Sequence, residues 1–234
     1  RMMSQEQYLA VAKEAWTNAG NSLKTFPYQD NDYNSYSTTD TDWSKEYLGV
    51  GTNLYADLSL TSGTKKTSNY VTGSYYKTDN TVKSDSQQRF SFRTRNSYDF
   101  TKWLRFNAQL SASYNTNNLF PLYRGFLETL PIFEPYLSDG SFRLYNKVYD
   151  EASGGWVMRK FTKNEVPARE ANTNTQRSVM TSANFSVEAK IFDGLKFTSQ
   201  YAIDYTHSHE DIYYSRTTLS GMDSAGNPKG SSRR

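Results

Sequence analysis

The 234-residue chain has no cysteine, which removes disulfides, thiolate nucleophiles and cysteine-based zinc sites, and leaves an oxidising compartment permitted. It has no run approaching the roughly 20 consecutive apolar residues of a membrane helix. That excludes a helical membrane protein but not a transmembrane β-barrel, whose alternating strands score low on hydropathy. Hydrophobic residues are only 36% of the chain and the mean hydropathy is -0.81, poor material for a large buried core. Charge of one sign is scarce as well. With 27 Lys+Arg against 24 Asp+Glu and no clustered basic patch, no nucleic-acid partner is expected. The chain opens RMMSQEQYLA without a basic-then-apolar leader and closes GNPKGSSRR without a defined end, so both termini read as cuts. What the chain does have is rings: 19 Tyr and 13 Phe, residues that disordered chains lack.

Along the chain, residues 4–19 (SQEQYLAVAKEAWTNA) carry a helix signal, with Ser4 and Gln7 spaced as a capping box and Gly20 at the stop. Residues 20–50, rich in Asn, Asp, Ser, Thr and Tyr, read as a long polar loop. From residue 51 the period becomes two. NLYADLSLT sets Leu54, Ala56, Leu58 and Leu60 against Tyr55, Asp57, Ser59 and Thr61, and NYVTGSYYK pairs back as a hairpin arm through SGTKKT. LRFNAQLSASY, SVMTSANFSVEAKI and LKFTSQYAIDYTH repeat the alternation. Between the first two strands and these lies RFSFRTRNSY, whose even positions hold Phe90, Phe92 and Tyr98 and whose odd positions hold Arg89, Arg93 and Arg95.

Six strands of about 9 to 11 residues follow, the length of a tilted membrane crossing. Their links alternate: SGTKKT, DFTKW and FDG are short, while the others are long, residues 116–177 especially. Outer-membrane barrels segregate short periplasmic turns from long extracellular loops in this way. The expected fold is therefore all-β, an antiparallel transmembrane β-barrel segment with long extracellular loops and one short helix near the N-terminus. Phe90 and Phe92 would face lipid, and the three arginines a hydrated or protein-filled lumen. The alternative is a soluble secreted β-sandwich that binds glycans, its apolar face covered by a second sheet.

TDTDW at residues 39–43, the strand-turn-strand NLYADLSLTSGTKKTSNYVTGSYYKTDNTVK, RFSFRTRNSYDFTKWLRFNAQLSASYN and the upstream SQEQYLAVAKEAW together resemble the SusC-like (SusC/RagA) TonB-dependent transporters of Bacteroidota. The likeness in order and spacing covers about residues 1–116. It departs at Ser62-Gly63, where a double glycine is common, and at Thr81-Val82, where a glycine-isoleucine pair is usual. The resemblance implies a 22-stranded outer-membrane barrel around an N-terminal plug. It implies a SusD-like surface lipoprotein lid, TonB acting through the plug, and import of glycans or peptides. The chain would supply about six strands: 51–115 as four barrel strands and 178–206 as two. Residues 1–50, 116–177 and 207–234 would be extracellular loops, the last truncated.

Transport requires no catalytic constellation and no cofactor, and neither is expected. Glu210-Asp211 are strand neighbours on opposite faces, unsuited to paired acid-base work. A glycan hydrolase therefore ranks last. His207 and His209 share a face but have no evident third ligand, so no metal is expected. In the long loop, Tyr123, Phe126, Tyr145 and Trp156 are candidates to stack on sugars or peptide side chains, with Phe120, Phe133 and Tyr136 alongside, and Arg124 and Arg143 as donors. The competing reading is that such rings form a small core for the loop itself. Trp43 would sit near the lid partner or anchor the first loop to the barrel rim. Arg89, Arg93 and Arg95 would face the lumen and meet plug carboxylates.

Overall fold

The computed structural model describes residues 3–120, 125–150 and 152–233. Its strands are β1 (Thr52–Gly63), β2 (Thr67–Asp79), β3 (Ser86–Asp99), β4 (Leu104–Asn118), β5 (Tyr145–Asp150), β6 (Gly155–Lys160), β7 (Thr173–Phe192), β8 (Leu195–Tyr214) and β9 (Ser231–Arg233). One antiparallel sheet runs β1-β2-β3-β4-β7-β8-β9, and β5 and β6 form a separate hairpin. The six period-2 segments are thus its six long strands, in the expected pairing. The β1–β2, β3–β4 and β7–β8 turns cluster at one end of the sheet and the long connections at the other.

The register turns the period into two surfaces. Leu58, Gly73, Phe92, Ala112, Thr181 and Tyr205 form one cross-strand row, and Leu60, Val71, Thr94, Leu110, Ala183 and Ile203 the next on that face. On the other face, Ser59, Thr72, Arg93, Ser111, Ser182 and Asp204 form a row. The apolar face is bare: Leu58 is 81% exposed and Ile203 64%, and among the described residues no second sheet covers it. A soluble sandwich would need that layer.

Aromatic rings rim this face at both ends. Tyr75 and Phe90 lie 4.7 Å apart in one row with Tyr114, towards the long loops. At the short-turn end Phe100 lies 6.4 Å from Tyr98 and 6.5 Å from Phe106. On β4 the apolar band runs from Leu104 to Tyr114, ten steps of about 3.4 Å, or about 34 Å along the strand. Asn96, on the apolar face, donates from Nδ2 to Thr94 Oγ1 (3.0 Å), so its amide is not left bare.

The strands run beyond the expected nine to eleven residues: β1 has 12, and β7 and β8 have 20 each. Past the rows of Tyr114 and Val179 both faces turn polar, so hydropathy alternation stops while the hydrogen-bond ladder continues through Arg177–His209 and Asn174–Ile212. The hairpin β5–β6 inside residues 116–177 is also an addition to the sequence reading.

The helices are α1 (Gln5–Asn18), α2 (Trp43–Tyr47), α3 (Gly125–Glu128) and α4 (Val166–Ala171). At α1 the capping box forms as spaced: Gln7 N donates to Ser4 Oγ (3.3 Å) and Ser4 N to Gln7 Oε1 (3.0 Å). Gly20 (φ 81°) takes the left-handed conformation that follows the helix.

Candidate functional site in the loop module

Residues 3–50 do not form a free loop. They fold onto the long connection between β4 and β7, and the two share two small cores. Leu9, Phe26, Tyr36 and Ile132 make one, and Trp43, Tyr47, Phe161 and Val166 the other, with Phe133 packed against both. Trp43 is 1% exposed and its Nε1 donates to Leu130 O (2.9 Å). The ring therefore docks the first loop to the long loop and does not present itself to a partner. The rim contact falls to residues after it: Leu48 bridges to Val82, Gly49 N donates to Thr81 O (2.7 Å) and Lys83 N to Tyr47 O (2.9 Å). Burial pushes the Tyr47 hydroxyl up to about 12, so it stays protonated, and the same atom accepts from Glu165 N at 2.8 Å.

Arg143 corrects an expectation. It is 5% exposed; its guanidinium donates to Tyr33 O (3.1 Å), Asn34 Oδ1 (2.7 Å) and Glu134 Oε2 (2.8 Å) and lies 5.1 Å from the Tyr33 ring. Both terminal nitrogens are spent on stitching two loops together and Nε is buried, so the guanidinium is not presented to a ligand. Sequence could not separate the two roles, because two of the three partners, Tyr33 and Asn34, lie more than a hundred residues away in the chain. Phe133 and Tyr136 likewise belong to the loop core. Burial and a hydrogen bond to Glu170 Oε1 (2.6 Å) push the Tyr136 hydroxyl up to about 12.

Of the other candidates, Tyr123 and Arg124 lie outside the described residues, as does the side chain of Phe126. Tyr145, on β5, points its hydroxyl at Met222 Sδ (3.9 Å). Trp156, on β6, stays 37% exposed with Tyr149 5.7 Å away, edge to face. Phe120 lines a different region, described next. The three arginines stand on the polar face of β3, all exposed. Arg89 Nε donates to Asn115 Oδ1 (2.6 Å) and Arg95 Nε to Gln109 Oε1 (3.1 Å), while Arg93 has no polar partner among the described residues. His209 Nε2 lies 3.1 Å from Asp211 Oδ1.

A pocket of about 410 Å³ lies between α4 with its flanking loop and the tops of β4, β7 and β8. Leu119, Leu144, Pro167, Ile212 and Leu219 supply its apolar wall, and its polar groups include Glu165, Asn164, Asn172, Asn174 and Thr218. Asn174 and Ile212 continue the even-numbered face of β7 and β8, so the pocket adjoins the face that carries the arginines. Glu165 Oε2 and Asn174 Oδ1 are both buried without a hydrogen-bond donor. Burial pushes the Glu165 carboxyl up to about 7; Lys163 pulls it down and Glu128 pushes it further up. Lys163 Nζ is itself paired to Glu128. Periodicity could not reveal this site, since its residues come from four separate segments.

No protein-family model matches the sequence. Over 149 residues (63% of this chain) it is 26% identical to TonB-dependent receptor P26 of Formosa agariphila, of which it spans 14%. In three dimensions 89% of the chain aligns with the RagAB peptide importer in its closed-closed state, at TM-score 0.61 and 17% identity. It aligns equally widely with the open-open state, at TM-score 0.57 and 19% identity. The fold is that of a β-barrel wall. The chain covers 23% of each importer chain, so the wall described here is an open arc, in keeping with its unclosed sheet.

Proposed function

We propose that the chain is part of a SusC-like TonB-dependent transporter of the bacterial outer membrane, importing glycans or peptides with a SusD-like surface lipoprotein as its lid. The observation that carries this reading is the exposed, predominantly apolar face that continues over six strands, rimmed by rings at both ends. Tilting its 34 Å by about 40° gives a band about 26 Å tall, close to the about 25 Å of outer-membrane barrels. The likeness in fold and the TonB-dependent relative support the same reading. Lipid would cover the Leu58 and Phe92 face. Arg89, Arg93 and Arg95 would look into the lumen, where charge costs little and the plug supplies carboxylates. The loop module would form part of the outer rim of the ligand chamber. No catalytic step is needed: ligand is captured beneath the lid and released by TonB-driven plug movement.

The test is purification of the polypeptide that carries these residues from outer membranes in detergent. Denaturing mass spectrometry should give a mass several-fold above 26.9 kDa, with a lipoprotein co-purifying. A water-soluble 26.9 kDa monomer would overturn the proposal.

A further inference from the structure

We propose that the pocket between α4 and the wall tops is a subsite for a primary ammonium group of a peptide, accepted by Glu165 Oε2 and Asn174 Oδ1. The inference rests on the transporter reading and narrows its cargo to peptides. Two residues that line one pocket, Glu165 and Asn174, each carry a side-chain oxygen held away from water with no donor to satisfy it. A buried acceptor without a partner is costly, and native structures keep such atoms where something else completes them. Neighbouring protein groups do not. The closest cation named by its electrostatics, Lys163, pairs with Glu128, Arg169 pairs with Glu170, and the Tyr47 hydroxyl accepts from Glu165's own backbone.

The chemistry of the missing donor follows from the pair. An ammonium has three donors, no acceptor and a full positive charge. It satisfies a carboxylate and a carboxamide oxygen together and compensates the charge in a partly desolvated setting. A sugar hydroxyl is neutral and leaves the carboxylate's charge unpaired. Among the described lining residues, Glu165 and the Tyr214 phenol are the only ionisable groups, and the nearby Lys163 is paired to Glu128. The apolar wall of Leu119, Ile212 and Leu219 suits the carbon skeleton that carries the ammonium. Because the carboxyl titrates near 7 when the pocket is empty, a bound ammonium must first displace its proton at lower pH.

The test uses the full polypeptide purified from outer membranes in detergent, immobilised and offered three probes: a casein digest of short peptides, the same digest with all primary amines acetylated, and a maltodextrin mixture. Retention of the free-amine digest should exceed that of the acetylated digest by about tenfold or more at pH 8. It should fall as pH drops from 8 to 6. Glu165→Gln should reduce it to the acetylated level and flatten the pH profile, and Asn174→Leu should weaken it with the profile kept. Acetylation of N-termini only, against lysines only, identifies which ammonium is read. Equal retention of both digests, retention of maltodextrin alone, or an unchanged profile in a folded Glu165→Gln protein overturns the subsite. So does no retention of any probe by folded protein. A protein that does not partition into outer membranes overturns the transporter reading instead.

Discussion

Ala183 lies on the apolar face between Leu110 and Ile203, near the middle of the band, while its neighbour Ser182 faces Ser111 and Asp204 on the polar side. With lipid on that face, as proposed, Ala183→Arg puts a guanidinium among lipid tails at mid-depth, which costs about 2–4 kcal/mol. That is about 30- to 900-fold in the folding equilibrium. Ala189, opposite Leu104, is six residues further on, about 20 Å along the strand, at the lower edge. Ala189→Arg reaches the interface and should cost about 0–1 kcal/mol. Ser182→Arg should cost under about 0.5 kcal/mol, since the lumen face is wet and Asp204 lies directly across. The assay is equilibrium denaturant folding of the intact polypeptide into phospholipid vesicles. A soluble core would penalise Ala183 and Ala189 alike, because both sit on the same buried face. Equal costs at these two positions, or a cost at Ser182 matching that at Ala183, would refute the reasoning.

Trp43→Ala should loosen the loop module by about 3–5 kcal/mol through loss of a buried ring and the Nε1 bond to Leu130 O, with the barrel strands unaffected; hydrogen exchange resolved by segment reads both. Arg143→Met leaves Glu134 and Asn34 without their donor and should cost the same module about 1–3 kcal/mol, and Arg143→Lys should not restore it because an ammonium lacks the fork. Glu165 has a folded value of about 7 against 4.5 unfolded, so the folded state binds its proton more tightly. Its stabilising contribution is complete below about 4.5 and is lost as pH rises through about 7; module protection should fall over that window and flatten in Glu165→Gln. Gly221→Ala places a Cβ 1.9 Å from Ser215 O and should disturb the Thr218–Leu219 wall of the pocket, read as faster exchange there with α1 unchanged.

The wall was legible in the sequence because one physical rule, period two with one face apolar, fixes both the strand and its register. Leu104 to Tyr114 obeys it without exception, and the structure pairs that segment with β3 and β7 face for face. Where neither surface is apolar the rule has nothing to act on. Thr173–Arg177 and Ser208–Tyr214 pair as well as any strand, yet carry no alternation to announce it. The loop module was hidden for a different reason: its order comes from contacts distant in sequence, such as Tyr36 to Lys147 O (3.0 Å) and Thr41 N to Pro131 O (2.8 Å). Counting rings suggested a loop core, but only the fold reveals that residues 3–50 supply more than half of its buried side chains and that Arg143 is its staple. The pocket at Glu165 was least accessible, because its distinguishing feature is what two oxygens lack.

The central claim is that alternate residues of these strands face lipid and a wet lumen. Single cysteines are placed at Leu58, Phe92 and Ala112 on one face, and at Ser59, Arg93 and Ser111 on the other, each carrying a nitroxide label, in a full polypeptide with any cysteine outside these 234 residues replaced by serine. Collision with dissolved oxygen and with a water-soluble nickel chelate, measured on the full polypeptide in bilayers, reports the medium at each site. The account predicts high oxygen and low nickel accessibility at the first three, and the reverse at the second three. Labels at Leu58, Phe92 and Ala112 shielded from both reagents, or open to nickel, would contradict it.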